Sequence, residues 1–174
     1  MIVAPYRDEE LEEIAALVNA AYRGESSRAG WTSEFELLCG QRTDAGALRA
    51  DLAATPGATI LTMREGAGGE IVASVWLEPA EPQTYYLGML TVNPSRQADG
   101  LGRALLARAE SFAADAGARK MQLTVIEQRE SLIAWYERRG YRPTGAVKSF
   151  PYDDARVGAP KRADLRLAVF EKAL

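Results

Sequence analysis

Residues 92 to 106, Val-Asn-Pro-Ser-Arg-Gln-Ala-Asp-Gly-Leu-Gly-Arg-Ala-Leu-Leu, constrain this chain more than any other stretch. An apolar run ending at Leu90-Thr91-Val92 is broken by Asn93-Pro94. From Leu101 onward, Leu101, Leu105, Ala109, Phe112 and Ala116 form one helical stripe, which Gly117 closes. The segment therefore predicts a strand passing through a tight turn into a helix. Gly100 and Gly102 allow a sharp turn and a close backbone approach, and the helix opening there carries about half a positive charge at its N-terminus. A diphosphate suits such a place. A dinucleotide fingerprint would need a third glycine where Leu105 stands, and a P-loop would need Gly-Lys-Ser/Thr, which is missing. An ordinary packing turn remains the alternative for this loop alone.

The rest of the chain frames that segment. Residues 2 to 6 read as a strand, and Asp8 is placed to cap a helix through Leu11, Ile14, Leu17, Val18 and Tyr22. Ser33 and Glu36 have capping-box spacing, predicting a second helix with Phe35, Leu37 and Leu38, and Cys39 then falls on an apolar helix face. Asp44 starts a short helix through Leu48 and Leu52, stopped at Pro56-Gly57. Residues 58–65, 70–78 and 84–93 read as three sequential antiparallel strands. Residues 120–126 read as a strand, 130–139 as a helix, and 142–149 and 164–171 as two final strands.

Totals exclude several classes. The 174 residues suit one compact domain, and 47% hydrophobic with 26% charged residues fits neither a disordered nor a membrane chain. There is no histidine, which removes every scheme built on an imidazole base or a His-containing metal site; no metal is expected. Cys39 is the single cysteine, so no intrachain disulfide forms. A net charge of −3 with scattered basic residues argues against nucleic acid, and no apolar run is long enough for a membrane span. The N-terminus lacks a signal-peptide pattern, so the cytoplasm is the expected compartment.

Two motifs point further. Gln97-Ala98-Asp99-Gly100-Leu101-Gly102 fits Gln/Arg-x-x-Gly-x-Gly/Ala, and Ile133-Ala134-Trp135-Tyr136-Glu137-Arg138-Arg139-Gly140-Tyr141 fits a helix ending in Tyr-Glu-x-x-Gly-aromatic. In these motifs the chain resembles the GNAT superfamily of N-acetyltransferases, most specifically over residues 84 to 145. The resemblance implies an α/β (α+β) fold in a single domain over 1–174. Its mixed, mostly antiparallel central sheet would have about seven strands, flanked by helices and splayed between the fourth and fifth, residues 84–93 and 120–126. It also implies acetyl-CoA as acyl donor, lying in the splay with its diphosphate against the amides of residues 98 to 103. The cofactor-binding run would be Gln97, Ala98, Asp99, Gly100, Leu101, Gly102, Arg103 and Ala104. The amides of Leu90, Thr91 and Val92 would hold the carbonyl oxygen and pantetheine arm, and Tyr136 would face the sulfur as general acid. Asp99 departs from the usual loop by placing a carboxylate beside phosphate. Arg129 stands where such enzymes often carry an asparagine that touches the cofactor arm.

The implied reaction is acetyl transfer to a primary amine, on a small molecule rather than a protein, by direct attack in a ternary complex. The alternative is a noncatalytic acyl-CoA-binding or regulatory module on the same fold. An amine of pKa near 10 is about one part in a thousand neutral at pH 7, a handicap of roughly 4 kcal/mol, so a base is needed. Glu78, Glu127, Glu34 and Glu36 are candidates, and spacing singles out none of them. The loop 23–31, with Ser27 and Trp31, and the segment 150–162 are expected to meet the acceptor. Exposed edge strands admit a homodimer.

Overall fold

The computed structural model describes residues 1–23, 34, 36–154 and 158–174. Seven strands form one sheet: β1 (Ile2–Pro5), β3 (Thr59–Arg64), β4 (Ile71–Glu81), β5 (Thr84–Val92), β6 (Lys120–Ile126), β7 (Arg142–Ser149) and β9 (Arg166–Ala173). Their spatial order is β1-β3-β4-β5-β6-β9-β7, and every neighbouring pair is antiparallel except β5 and β6. A parallel pair needs a crossover, and α3 (Leu101–Asp115) provides it. The other helices are α1 (Leu11–Tyr22), α2 (Ala45–Ala54) and α4 (Glu130–Glu137). No helix among the described residues is long and apolar enough to cross a membrane.

Strand alternation divides the core between two faces. Ile60 and Trp76 turn towards Leu11, Ile14, Val18 and Leu48 of α1 and α2. Leu61, Met63, Val75 and Leu77 turn the other way, onto Leu105, Leu106 and Ala109 of α3 and Trp135 and Tyr136 of α4. Both faces of β4 are covered, which is why Ile71 to Leu77 can be buried without a break.

The feature that positions the site is a parting of strands. β5 and β6 pair only from Thr84–Lys120 to Leu87–Leu123, after which β5 runs on to Val92 and β6 to Ile126 with no ladder between them. On its other edge, β5 carries a bulge against β4. Gly88 pairs with Trp76 and Thr91 with Ser74, so Met89 and Leu90 face the single residue Val75. Met89 has φ 45°, in the left-handed region that non-glycine residues avoid. Two hydrogen bonds hold the bulge: Thr91 Oγ1 donates to the Met89 carbonyl (2.8 Å), and the Tyr22 hydroxyl to the Leu90 carbonyl (3.0 Å).

Three local expectations are corrected. The helix predicted from Ser33 does not extend through Leu38: the Leu37 and Leu38 amides both donate to the Glu34 carbonyl, giving one turn. Leu38–Cys39 then forms the short strand β2, paired with β8 (Ala159–Pro160), and this long-range pairing outweighs local helix preference. Ser33 and Phe35 lie outside the described residues. Cys39 is consequently an exposed strand residue and not part of an apolar helix face. Asp8 does not cap α1. Its carboxylate takes Arg49 (3.0 Å), while a 3-10 turn over Asp8–Glu10 opens the helix. Asp44 does cap α2, accepting from the Ala47 amide at 2.8 Å.

Glu10 ties the start of α1 to the sheet. Its carboxylate accepts from the Arg7 amide (3.0 Å) and from the Arg64 guanidinium of β3 (2.7 Å). Burial pushes its proton affinity up, but the Arg7 amide and guanidinium and the Arg64 charge outweigh this and hold it below the usual carboxylate range. A depressed folded pKa means stability that is present above the unfolded value of about 4.3 and lost as pH falls through the folded one. Glu10→Gln should therefore destabilise by about 1–3 kcal/mol at pH 7 in urea denaturation. The gap between variant and wild type should close below about pH 4.

Candidate active site

The parted strands open onto a cleft of about 390 Å³, walled by Gly88, Met89 and Leu90 of β5, Thr124, Val125 and Ile126 of β6, and Tyr136 of α4. A smaller cavity of about 20 Å³ lies against Val92, Gly102 and Trp135 and shares Tyr22, Leu90, Leu132 and Tyr136 with the cleft. Tyr136 thus stands between the glycine turn and the cleft.

The turn is more structured than an open loop. Asn93 Oδ1 accepts from the Ser95 amide at 3.1 Å, and a 3-10 turn spans Pro94–Asp99. Gly100 follows with φ 75°, a conformation that favours glycine, and a Cβ there would meet nothing within 4 Å. The first bond of α3 runs from the Ala104 amide to the Gly100 carbonyl (3.1 Å), so the amides of Leu101, Gly102 and Arg103 precede the intrahelical ladder. Of the run Gln97 to Ala104, Leu101 and Gly102 are buried, while Asp99, Gly100, Arg103 and Ala104 are exposed; Ala98 lies in the turn. Gln97 reaches back to the Val92 carbonyl (3.4 Å).

Asp99 is neutralised locally. Arg96 pairs with it and with Glu65 (2.8 Å), so the carboxylate does not stand alone beside the helix start, and Arg96 is itself engaged. Further along, the Arg139 guanidinium stacks 3.5 Å over the Trp135 ring and donates to the Trp135 carbonyl (2.6 Å).

Tyr136 is buried, packed edge-on against Trp135 (5.0 Å) and Tyr141 (5.4 Å). Tyr141 is anchored in turn through its hydroxyl to Glu110 (3.1 Å), which also takes Lys172 (2.7 Å). Burial pushes the Tyr136 phenol well above its ordinary value, and the nearby phenols of Tyr22 and Tyr86 add to this. It therefore remains a proton donor throughout the working pH range.

The wall facing Tyr136 carries charge. Glu34, whose backbone amide donates a hydrogen bond to the Tyr22 carbonyl at the end of α1, is buried between Arg23 (3.2 Å) and Arg129 (3.3 Å). Arg129 also lies 5.8 Å from the centre of the Tyr22 ring. Arg129, at the position where the family resemblance suggests a cofactor contact, engages Glu34 in the cleft wall. Across the cleft, Glu78 Oε2 accepts from Trp76 Nε1 (2.6 Å), and Tyr86 shares a hydrogen bond with Thr124 (2.9 Å). Arg42 and Asp51 complete the charged lining, residues to which no sequence motif pointed. Both were hidden because segments distant in sequence carry them to the cleft.

The expected acceptor residues part company here. Glu78 is in the cleft. Glu127 is not among the residues that line it, and instead pairs with Arg166 (2.7 Å) beside a separate surface hollow. Both Glu34 oxygens are taken by guanidinium groups, which disfavours it as a base. Ser27 and Trp31 lie outside the described residues.

Residues 11–141 match the model of the acetyltransferase (GNAT) family, and the chain belongs to that family. Among curated proteins, 75 residues are 35% identical to a mycothiol acetyltransferase of Beutenbergia cavernae; the match spans 43% of this chain and 25% of that protein. Two solved structures share the fold over nearly the whole chain. An IAA acetyltransferase from Bacillus cereus superposes with a TM-score of 0.65 at 16% identity, covering 99% of each chain. A Salmonella typhimurium structure assigned to the acetyltransferases, with its cofactor acetyl-CoA, gives 0.71 at 20% identity, covering 100% of this chain and 94% of that one.

Tyr22 connects the helical layer to the bulge. Tyr22→Phe would leave the Leu90 carbonyl without its donor, and should cost about 1–3 kcal/mol in chemical denaturation. An unchanged midpoint would show that the bulge does not depend on this bond.

Proposed function

We propose that this chain transfers an acetyl group from acetyl-CoA to a primary amine of a small molecule, by direct attack within a ternary complex. The observation that carries the reading is the opening beyond Leu87 and Leu123, whose cleft shares Tyr22, Leu90, Leu132 and Tyr136 with the small cavity against Gly102 at the start of α3. A diphosphate would sit against the amides of Leu101, Gly102 and Arg103, with Gly100 giving it room and Gln97, Ala98, Asp99 and Ala104 shaping the rim. The pantetheine arm would follow the β5 edge at Leu90, Thr91 and Val92, whose amides are suited to polarise the thioester carbonyl.

The chemistry follows from the groups on either side. A neutral amine attacks the carbonyl carbon, and its C–N bond forms as the carbonyl electrons move onto oxygen. Collapse breaks the C–S bond, and Tyr136 delivers its phenolic proton to the departing thiolate. Among the described residues no group hydrogen-bonds the Tyr136 hydroxyl, so it is available to a ligand. Glu78, on the far wall, takes the proton that the amine loses, directly or through water. Its second oxygen has no hydrogen-bond partner among the described residues. Trp76 holds the carboxylate in place.

Acetyl-CoA should raise the thermal midpoint of wild type and Tyr136→Phe alike, because only the folded state binds it. Turnover of the variant should fall by about 10²-fold, measured as thiol release. Binding without turnover in the wild type, across a broad amine panel, would instead favour a noncatalytic acyl-CoA-binding module.

The raised phenol pKa gives a second expectation. Because Tyr136 keeps its proton far into alkaline pH, kcat should rise as the amine loses its own and then stay level, with no descending limb before about pH 10. A descending limb near pH 8 to 9 would remove Tyr136 from the acid role.

A further inference from the structure

Among the described residues, Arg42 is a charged group of the cleft lining that neither the fold nor the proposed chemistry uses. Its backbone is fixed: the Arg42 amide donates to Asn19 Oδ1 (2.7 Å), and Asn19 also holds Thr43 through its amide and carbonyl (3.3 and 2.8 Å). The side chain is half-buried on the cleft wall, and among the described residues its guanidinium has no hydrogen bond and no ion pair. A half-buried guanidinium loses part of its hydration, and in most proteins a carboxylate makes up the loss. Here the other arginines of the wall, Arg23 and Arg129, converge on the single carboxylate Glu34, and Glu78 is bound to Trp76. Glu78 and Arg42 are nonetheless close enough for both to act on the Tyr86 phenol, the first raising and the second lowering its proton affinity. The cleft therefore presents a carboxylate suited to an amine and, near it, an unspent fork of donors suited to an oxyanion.

From this juxtaposition we infer that the acceptor is an amine that also carries a carboxylate, an amino acid or a close analogue, with Arg42 binding the carboxylate. A guanidinium matches that group in charge and in planar two-point geometry, which a neutral amine substrate would leave unused. Orientation follows as well: anchoring the carboxylate at Arg42 directs the amine towards Glu78 and the thioester. The inference rests on the acetyl-transfer reading above.

The test is thiol release at saturating acetyl-CoA with the proteinogenic amino acids, each run beside its amino acid amide and, where one exists, its decarboxylated amine, such as serine beside ethanolamine and tyrosine beside tyramine. At least one amino acid should be acetylated with kcat/KM about a hundredfold above its uncharged counterparts. Arg42→Gln should reduce that preference by about ten- to a hundredfold through KM for the amino acid, the size of one charge-assisted hydrogen bond. Stabilisation by acetyl-CoA, read in parallel, should persist in the variant. Equal use of the decarboxylated amines, an Arg42→Gln enzyme with undiminished preference, or acetyl-CoA binding with no amino acid acetylated would each overturn the inference. Failure of acetyl-CoA to stabilise the wild type would instead strike the underlying reading first.

Discussion

The separation of β5 from β6 after Leu87 is the constraint on which the rest of this molecule depends. A parallel pair that stayed zipped to Val92 and Ile126 would close the sheet and leave no place for a ligand between its halves. Here the pairing stops after Leu87–Leu123, and the bulge at Met89–Leu90 turns β5 away along its other edge. Left-handed backbone at a methionine costs on the order of 1–3 kcal/mol, and it persists because Thr91 fastens the Met89 carbonyl and Tyr22 that of Leu90. Helix α1 thus does more than cover the sheet: through the Tyr22 hydroxyl it holds the bulge at Leu90, and through the Tyr22 carbonyl it places Glu34.

Charge is distributed so that each end of the opening has a distinct character. At the start of α3, Arg96 is engaged by Asp99 and Glu65, so attraction for an anion comes from the helix terminus and from Arg103, exposed on its first turn. In the cleft, formal charges dominate: Arg23, Arg42, Arg129, Asp51 and Glu78 line it, with Glu34 spanning two of the arginines. Tyr136 sits where these regions meet, in aromatic surroundings that keep its phenol protonated. An acyl donor entering from the turn and an amine entering from the cleft would meet beside it.

Much of this was readable in the residues, for physical reasons that differ along the chain. The stripe from Leu101 to Ala116 and the glycines around it are local signals, and α3 and its turn formed where they indicated. The seven sheet strands formed where β-forming residues and the breaks between them indicated. Leu38–Cys39 was misread because its strand exists only through pairing with Ala159–Pro160, more than a hundred residues away, and no local pattern reports such a partner. The partners of Arg129 and Glu127 were hidden for the same reason. Their side-chain directions are set by Glu34 and Arg166, which the backbone brings near only after folding. Arg42 gave no signal at all, since nothing in its sequence neighbourhood shows that Asn19 will hold it at the cleft.

Membership of the GNAT acetyltransferases accords with this architecture, and the geometry adds which of this chain's own groups would meet the donor and which the acceptor. The claim at the centre is that one continuous channel, from the first turn of α3 along the bulged end of β5, receives acetyl-CoA. Residue-level amide hydrogen exchange with and without CoA tests it most directly. The account predicts slowed exchange at Leu101, Gly102 and Arg103 together with Leu90 to Val92, and little change along β1 and β7. Unaltered exchange at the α3 amides on saturation with CoA, or protection confined to another surface, would contradict it.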